Sequence, residues 1–552
     1  MTSLLFIGFH FLLYFIGRGF SIGLNRFLKF EYELENKYIG NIKIHYFYPV
    51  VALFIIGNLT VVLNFFSGTN NFILFLITLA IFSMNFLKLK MSFDKESIIY
   101  FVAIPLILSI SSYGINLAQD AGLYHLNTQG WIREEKINLG LHNIHSRYGY
   151  SSLYDYIASN FWWEQNYILI HFVNLTFIVL FFIFLYSNLF LSKNYYLKNL
   201  SLLVLIFGVL DNFGFSGGRN GFIDIEAVTK YDTPFAILYF ITGSLIINAL
   251  ITDDYDNFQL ATILYLLLFS IQLRIFAISL VPLFIFFLSK FLTKYNLKNT
   301  LKLFYPPLCL GLVWVIKNVL ISSCLFFPVE QTCFDFLAWS DVGSAALESK
   351  DLNVFHISYS FDQNLNIWFN NWLSKDINYS TLLNYIISLT ILFIFNSVMY
   401  KKSSLSINRY TRISIIFGLI IPLVIWLLSA PGIRFGLGLF LLSISLFSIN
   451  YHDSSERFKI YLRFKKITYI FIFTVSILLI IRIDTYTSFF DNFNNTIELN
   501  PTNINYVDNS LGWGVIPEEG NTSCWVNIEC LPNSKNIKKI DGVYNYFVNL
   551  NY

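Results

Sequence analysis

The sequence predicts an all-α polytopic membrane protein with about fourteen transmembrane helices, outer interfacial helices and a small extracytoplasmic C-terminal domain. Three observations carry that reading. Hydrophobic residues make up 55% of the 552-residue chain and charged residues only 13%, with a mean hydropathy of +0.57, too little charge to clothe a soluble protein of this length. Apolar runs long enough to cross a hydrocarbon core recur along it. Lys and Arg collect in alternate connections between those runs.

The runs follow in order. The first, 2–17, has no basic stretch before it, and Arg18 comes after it, which fits a retained span better than a cleaved signal peptide. Next come 46–66, 71–87 and 97–113, then 168–191, 199–210, 233–251, 257–271, 274–289 and 303–321. The last four are 380–398, 413–429, 433–450 and 468–483. The 199–210 run is short, and 257–289 reads equally as one kinked element. With the amino terminus outside, the short connections that face the cytoplasm hold most of the 37 basic residues, and losing one span would break that alternation. The predicted address is the plasma (inner) membrane, crossed many times, with the working side extracytoplasmic.

Residues 1–483 thus form a transmembrane domain with outer loops 114–167, 211–232 and 322–379, and 484–552 form a small Cys-containing outer tail. The net charge of +3, with no basic run interleaved with aromatics, excludes nucleic acid as a partner and leaves the lipid bilayer. Cys324 and Cys333 share one outer loop and Cys524 and Cys530 share the tail, so both pairs are disulfide candidates in an oxidising compartment; four free thiols are the other reading.

Candidate chemistry collects outside. After the fourth run, Asp120 is followed by Leu123, Leu126, Gln129, Trp131 and Ile132, a spacing that predicts a helix lying in the interface. Asp120 fits a general base for a substrate hydroxyl, or a helix cap. His125, His142 and His145 join it as candidate ligands of a divalent metal, although no spacing among them is diagnostic of zinc, and hydrogen-bonded interface histidines are the other reading. Arg147 lies in the same Gly-broken loop, where it and the three histidines are candidate substrate-binding residues, and Trp162 and Trp163 mark the return to the membrane. The Gly-rich 211–232 loop lacks the strand and helix of a phosphate-binding loop, and Asp232 at its end is placed to cap the next helix. Arg274 in a short hairpin, Lys317 within a span and Arg434 in APGIRFG are cations at membrane depth, suited to the phosphate of a lipid-linked substrate or to snorkelling and helix pairing.

The strings QDAGLYHLNTQGWI, LHNIHSRYGYSS, KYDTPFAIL, WVIKNVLISSCLFFP, APGIRFGLG and SCWVNIECLP resemble, in this order, a family of bacterial multi-spanning membrane proteins of unassigned function. More distantly, the layout resembles the GT-C superfamily of membrane glycosyltransferases, which transfer a sugar from a polyprenyl-phosphate carrier to an acceptor on the outer face. That resemblance implies a polyprenyl-phosphate-linked sugar and an envelope glycan or glycolipid acceptor as partners. It implies Asp120 as the base, Arg274 or Arg434 as neutraliser of the leaving phosphate, and Tyr124, Trp131 and Tyr148 as platforms for sugar rings. Here the acid is a lone Asp after Gln119, and it follows the fourth span, whereas the commoner pattern has an acidic pair after the first. Two other functions fit the composition. An O-antigen-type polymerase or ligase would lean on outer-loop arginines, and 322–379 has none. A transporter of lipid-linked glycans would show repeats or midplane polar residues.

Overall fold

The computed structural model describes residues 2–27, 37–69, 71–87, 95–113, 116–117, 120–164, 166–192, 195–210, 227–399, 407–443, 446, 504–518, 523–532 and 535–550. The span expected at 468–483, the second half of 433–450, and most of the 211–232 loop lie outside the described residues.

The chain is mostly helical. It opens with α1 (Thr2–Phe27), a tight hairpin of β1 (Tyr38–Ile39) and β2 (Ile42–Lys43), α2 (Tyr48–Asn64) and α3 (Asn71–Ser83). The next helical stretch is composite: α4 (Lys95–Ile98), a π-helical turn at Ile99–Ala103 and α5 (Ile104–Leu108). β3 (Asn116–Leu117) leads to a second π turn, Ala121–His125, which continues into α6 (Leu126–Glu134); α7 (Leu153–Ala158) follows. α8 (Ile168–Tyr186) ends in a third π turn at Ser187–Leu191 before α9 (Tyr195–Leu210). β4 (Ala227–Val228) pairs in parallel with β3 and precedes α10 (Asp232–Thr252), α11 (Asn257–Leu273), α12 (Val281–Leu292) and α13 (Leu297–Ser322). α14 (Val342–His356) and α15 (Leu365–Leu373) belong to the long loop before α16 (Asp376–Met399), α17 (Arg409–Ser429) and α18 (Ile433–Ser443).

Seven of these helical stretches are long and apolar enough to cross a membrane, or eight if the bent pair Leu365–Leu373 with Asn378–Ile394 counts as one crossing. Five shorter apolar helices accompany them, at Phe72–Phe86, Glu96–Ser112, Tyr196–Leu210, Asn257–Leu273 and Ile433–Ser443. Each falls on a run read from the sequence, and 257–289 resolves into two separate helices. The first crossing runs ten residues past its expected end, because Arg18, buried in α1, donates to Asn85 Oδ1 at 2.9 Å and no longer forces the helix out of the bundle.

Burial separates the helices into inner and outer ones. The apolar stretch of α10 is 89% buried, packed against α8, α11, α12 and α18, whereas that of α13 is 28% buried. On α13 the exposed side chains Leu301, Tyr305, Leu308, Leu312 and Ile316 recur at helical spacing, a stripe that only lipid covers without cost.

Charged side chains sit at the two ends of the bundle. At one end Lys37 pairs with Asp256 (3.1 Å), Lys43 with Glu96 (3.3 Å), and Lys290 and Lys294 with Asp253 (3.2 Å each). The opposite end carries the 120–164 segment, α14, α15 and the tail. In the tail, β5 (Tyr506–Asp508) pairs with β6 (Val515–Pro517), and β7 (Ile537–Ile540) with β8 (Tyr546–Asn549). The described residues of the tail pack onto the 120–164 segment. Leu531, Ile537 and Phe547 pack with Trp131, Ile137, Leu141, Ile144 and Tyr148, and Leu139 exchanges backbone hydrogen bonds with Asn545 and Phe547 at 2.9 and 3.0 Å.

Candidate functional site

Three polar groupings converge where the 120–164 segment meets the helix ends. The first is built on Asp120, which precedes the π turn with helical backbone and makes no side-chain cap. Its carboxylate instead accepts from Arg147 Nη1 at 3.1 Å. Arg147 stands on the 3₁₀ turn Ser146–Tyr150, whose start is fixed by His145: Nδ1 of that ring accepts the Arg147 backbone N–H at 3.1 Å. The guanidinium lies 5.2 Å over the Tyr124 ring and 3.8 Å from Glu348 of α14. Glu348 also accepts from Ser146 Oγ (2.6 Å) and Tyr150 OH (2.7 Å), so it holds the turn in place. Burial works against the Arg147 cation, but Tyr124, Glu348 and Asp120 outweigh it and raise the group above its ordinary range.

The second grouping centres on Asp232, the first residue of α10. It does not cap that helix, since Tyr231 occupies the cap position. Arg274, at the end of α11, reaches its Oδ1 at 2.6 Å, and Arg434, in the first turn of α18, reaches Oδ2 at 3.9 Å. Arg274 also lies 4.2 Å over the Phe435 ring, and its second nitrogen, Nη1, is buried with no hydrogen-bond partner. The 430–434 loop is pinned by Trp372 of α15, whose Nε1 donates to Pro431 O at 2.7 Å. His356, at the end of α14, packs 4.8 Å from Phe435; burial, then Arg434, Lys375 and Arg274, push its pKa down to about 4, so the ring is neutral beside the two arginines.

The third grouping lies deeper. His125 Nδ1 is 3.2 Å from Asp155 Oδ1, which also accepts from Gln129 at 3.3 Å. Lys317, fully buried in α13, donates to the Ser151 carbonyl at 2.5 Å and lies 4.9 Å over Tyr156. Tyr124 and Tyr231 join the groupings: His125 sits 4.1 Å from the first ring and 5.5 Å from the second, and Tyr124 feels Asp120, Arg147 and Asp232 together.

Asp120, Tyr124, His125, Arg147, Asp232, Arg274 and Arg434 therefore share one polar region, with Lys317 behind it. Other sequence candidates are placed elsewhere. Trp131 is buried between Trp513 and Phe547 of the tail interface, and buried Tyr148 donates to Asn127 Oδ1 at 2.5 Å, so neither ring offers a face to a sugar. His142 is buried against the Ile321 carbonyl at 3.0 Å, with its pKa lowered by burial. His145 stacks on Tyr124 and holds the 146–150 turn. The histidines are thus spent on separate partners, and among the described residues no three His, Cys, Asp or Glu side chains gather to hold a metal ion. Both cysteine pairs are disulfides, Cys324–Cys333 and Cys524–Cys530. Glu348, Asp155 and His356 escaped the sequence reading. Only Asp155, in a Tyr-rich stretch beside the named loop, carried any local signal.

The arrangement can grip an anion. Two guanidiniums serve one carboxylate at Asp232, one at close range and one loosely, and a donor on Arg274 is left over. Such a fork matches a phosphate. Beside it stands a carboxylate, Asp120, whose side chain remains about one-third exposed.

Fold and site define a polytopic helical membrane protein with a partly buried charged cluster at one end of its bundle. The chain belongs to the family described as domain of unknown function DUF8201, whose model matches residues 1–442. Neither the curated proteins nor the solved structures contain a significant match to it.

Proposed function

We propose that this protein is a GT-C-like membrane glycosyltransferase, moving a sugar from a polyprenyl-phosphate carrier to an envelope glycan or glycolipid acceptor on the extracytoplasmic face of the plasma membrane. The observation that carries the reading is the pairing of Arg274 and Arg434 on Asp232, within the same polar region as the accessible Asp120–Arg147 pair. Seven helices long and apolar enough to cross a membrane, or eight with the bent pair, support a protein embedded in the bilayer that presents such a carrier. Two disulfides at the site end fit an oxidising exterior.

Asp120 takes the proton of the acceptor hydroxyl as that oxygen attacks the anomeric carbon. The bond from that carbon to the carrier's phosphate oxygen breaks, and the released polyprenyl phosphate keeps the electron pair on oxygens facing Arg274 and Arg434. Arg147 holds the Asp120 carboxylate in place until the acceptor arrives, and Glu348 receives the guanidinium once Asp120 turns to the acceptor.

The test is envelope-glycan and lipid-carrier profiling of a deletion strain complemented with wild type or Asp120→Asn, with membrane insertion of the variant checked. Wild type restores a glycan, and the variant accumulates a sugar-loaded carrier with a loss of about 10²-fold or more in transfer. Full restoration by Asp120→Asn would remove Asp120 from the chemistry and overturn the mechanism.

A further inference from the structure

The end of the bundle away from the candidate site holds a polar cavity of about 250 Å³. Its walls come from four places: Tyr38, Asn41 and Lys43 of the β1–β2 hairpin, Tyr46 just after it, Glu96 of α4, and Ser187 with Leu191 of the third π turn. The hairpin is held over the cavity by Asn41 Nδ2 donating to Ser192 Oγ at 2.6 Å, and its reversal needs Gly40, whose φ is +61°. One of the three π turns in the described residues, Ser187–Leu191, lines this cavity, a second, Ile99–Ala103, follows the α4 that carries Glu96, and the third opens the candidate site. A π turn costs helix stability and persists where it shapes a site.

The cavity contains opposite charges held side by side. Lys43 Nζ lies 3.3 Å from Glu96 Oε2, both only partly exposed, and Tyr46 OH donates to the same carboxylate at 3.4 Å. A second observation points to a guest. Ser187 lines the cavity, is 1% exposed, and its hydroxyl has no hydrogen-bond partner, a costly state unless something polar fills the space. Next to the cavity, Phe190 and Leu191 present exposed apolar surface on the flank of the bundle. A polar hole at the end of a membrane-crossing bundle, bordered by apolar side chains, lies at headgroup depth with room for acyl chains beside it.

We infer that this cavity binds the headgroup of a zwitterionic phospholipid that carries a primary ammonium, with the phosphate on Lys43, the ammonium on Glu96 and a headgroup oxygen at Ser187. A zwitterion replaces each half of the Lys43–Glu96 pair without leaving a buried charge unpaired, which a singly charged ligand does not do. The primary ammonium matters because it donates hydrogen bonds to Glu96, which a trimethylated one does not. The site is independent of the chemistry proposed for the other end and stands whether or not that chemistry is right.

The full-length protein, purified in detergent and exchanged with defined lipids, is read by native mass spectrometry. Phosphatidylethanolamine is expected to be retained about tenfold over phosphatidylcholine and over phosphatidylglycerol, a difference set by charged hydrogen bonds. Glu96→Gln should erase the preference over phosphatidylcholine, and Ser187→Ala should weaken retention several-fold while changing almost no volume. Soluble phosphoethanolamine at millimolar concentration separates the sources: displacement of the lipid shows recognition of the headgroup alone, and failure to displace it shows that the acyl chains along Phe190 and Leu191 contribute. Equal retention of the three lipids by wild type overturns the proposal without any variant, and so does an unchanged preference in a folded Glu96→Gln protein.

Discussion

His145 sits at the hinge of the site, and its titration gives the most direct residue-scale prediction. Burial first, then Lys535 and Arg147, lower its pKa from 6.5 to about 3. Between those values the unfolded chain takes up a proton that the folded one refuses, so this contribution to stability is complete above pH 6.5 and is lost as the pH falls toward 3. A protonated ring also cannot accept the Arg147 backbone N–H, so the turn that aims Arg147 at Asp120 loosens with it. Thermal unfolding in detergent should show a loss of about 1–3 kcal/mol between pH 6.5 and pH 4, and His145→Gln should flatten that part of the profile. An unchanged slope in the variant would assign the acid sensitivity to other groups. The same residues show what the sequence could and could not reveal. Asp120, Arg147, Arg274 and Arg434 stood out because a charge beside apolar runs is conspicuous by itself. Glu348 and His356 did not, because α14 reads as an ordinary polar helix until folding brings it to residues about two hundred positions earlier and about eighty later.

At the scale of elements, the seven helices long and apolar enough to cross a membrane all fall on runs that hydropathy located, since a lipid-facing helix must be apolar over most of its length. Where helices end depends on partners that no local pattern contains: Arg18 remains inside α1 because Asn85, carried in by another helix, accepts from it. The π turns were equally invisible, because one wide turn leaves the apolar spacing almost unchanged. Close helix packing shows the same dependence on context. Gly8 and Gly17 both lie in α1, yet a Cβ at Gly17 would stand 1.8 Å from the Tyr48 carbonyl oxygen, while one at Gly8 would meet nothing within 4 Å. Gly17→Ala must push α1 off the start of α2 and should destabilise the protein by about 3 kcal/mol. Gly8→Ala should be neutral or stabilising by up to about 1 kcal/mol. Paired melting curves of the two variants check this, and equal behaviour would mean that α1 and α2 are not in contact at Gly17.

For the whole molecule, orientation decides which end meets which compartment, and the two ends differ in kind. One carries the salt-bridged Lys37, Lys43, Lys290 and Lys294, and the other carries the disulfides, the tail and the candidate site. Lysines favour the cytoplasmic side of a membrane and disulfides the oxidising side, so both signals support the proposed orientation. Asp362, exposed in the loop between α14 and α15, and Asp254, exposed between α10 and α11, lie at opposite ends. In a Cys309→Ser background, which removes the free thiol of the described residues, a cysteine placed at position 362 should react in intact cells with a membrane-impermeant maleimide, and one at position 254 should react only after permeabilisation. The reverse pattern would put the Asp120–Arg147 and Asp232–Arg274 clusters in the cytoplasm, and an outer-face transferase would be ruled out however Asp120→Asn behaved. The cavity at Lys43 and Glu96 would then face outward, but its ligand chemistry would stand, because a zwitterionic headgroup is available from either leaflet. The labelling experiment thus separates the two proposals made for this fold.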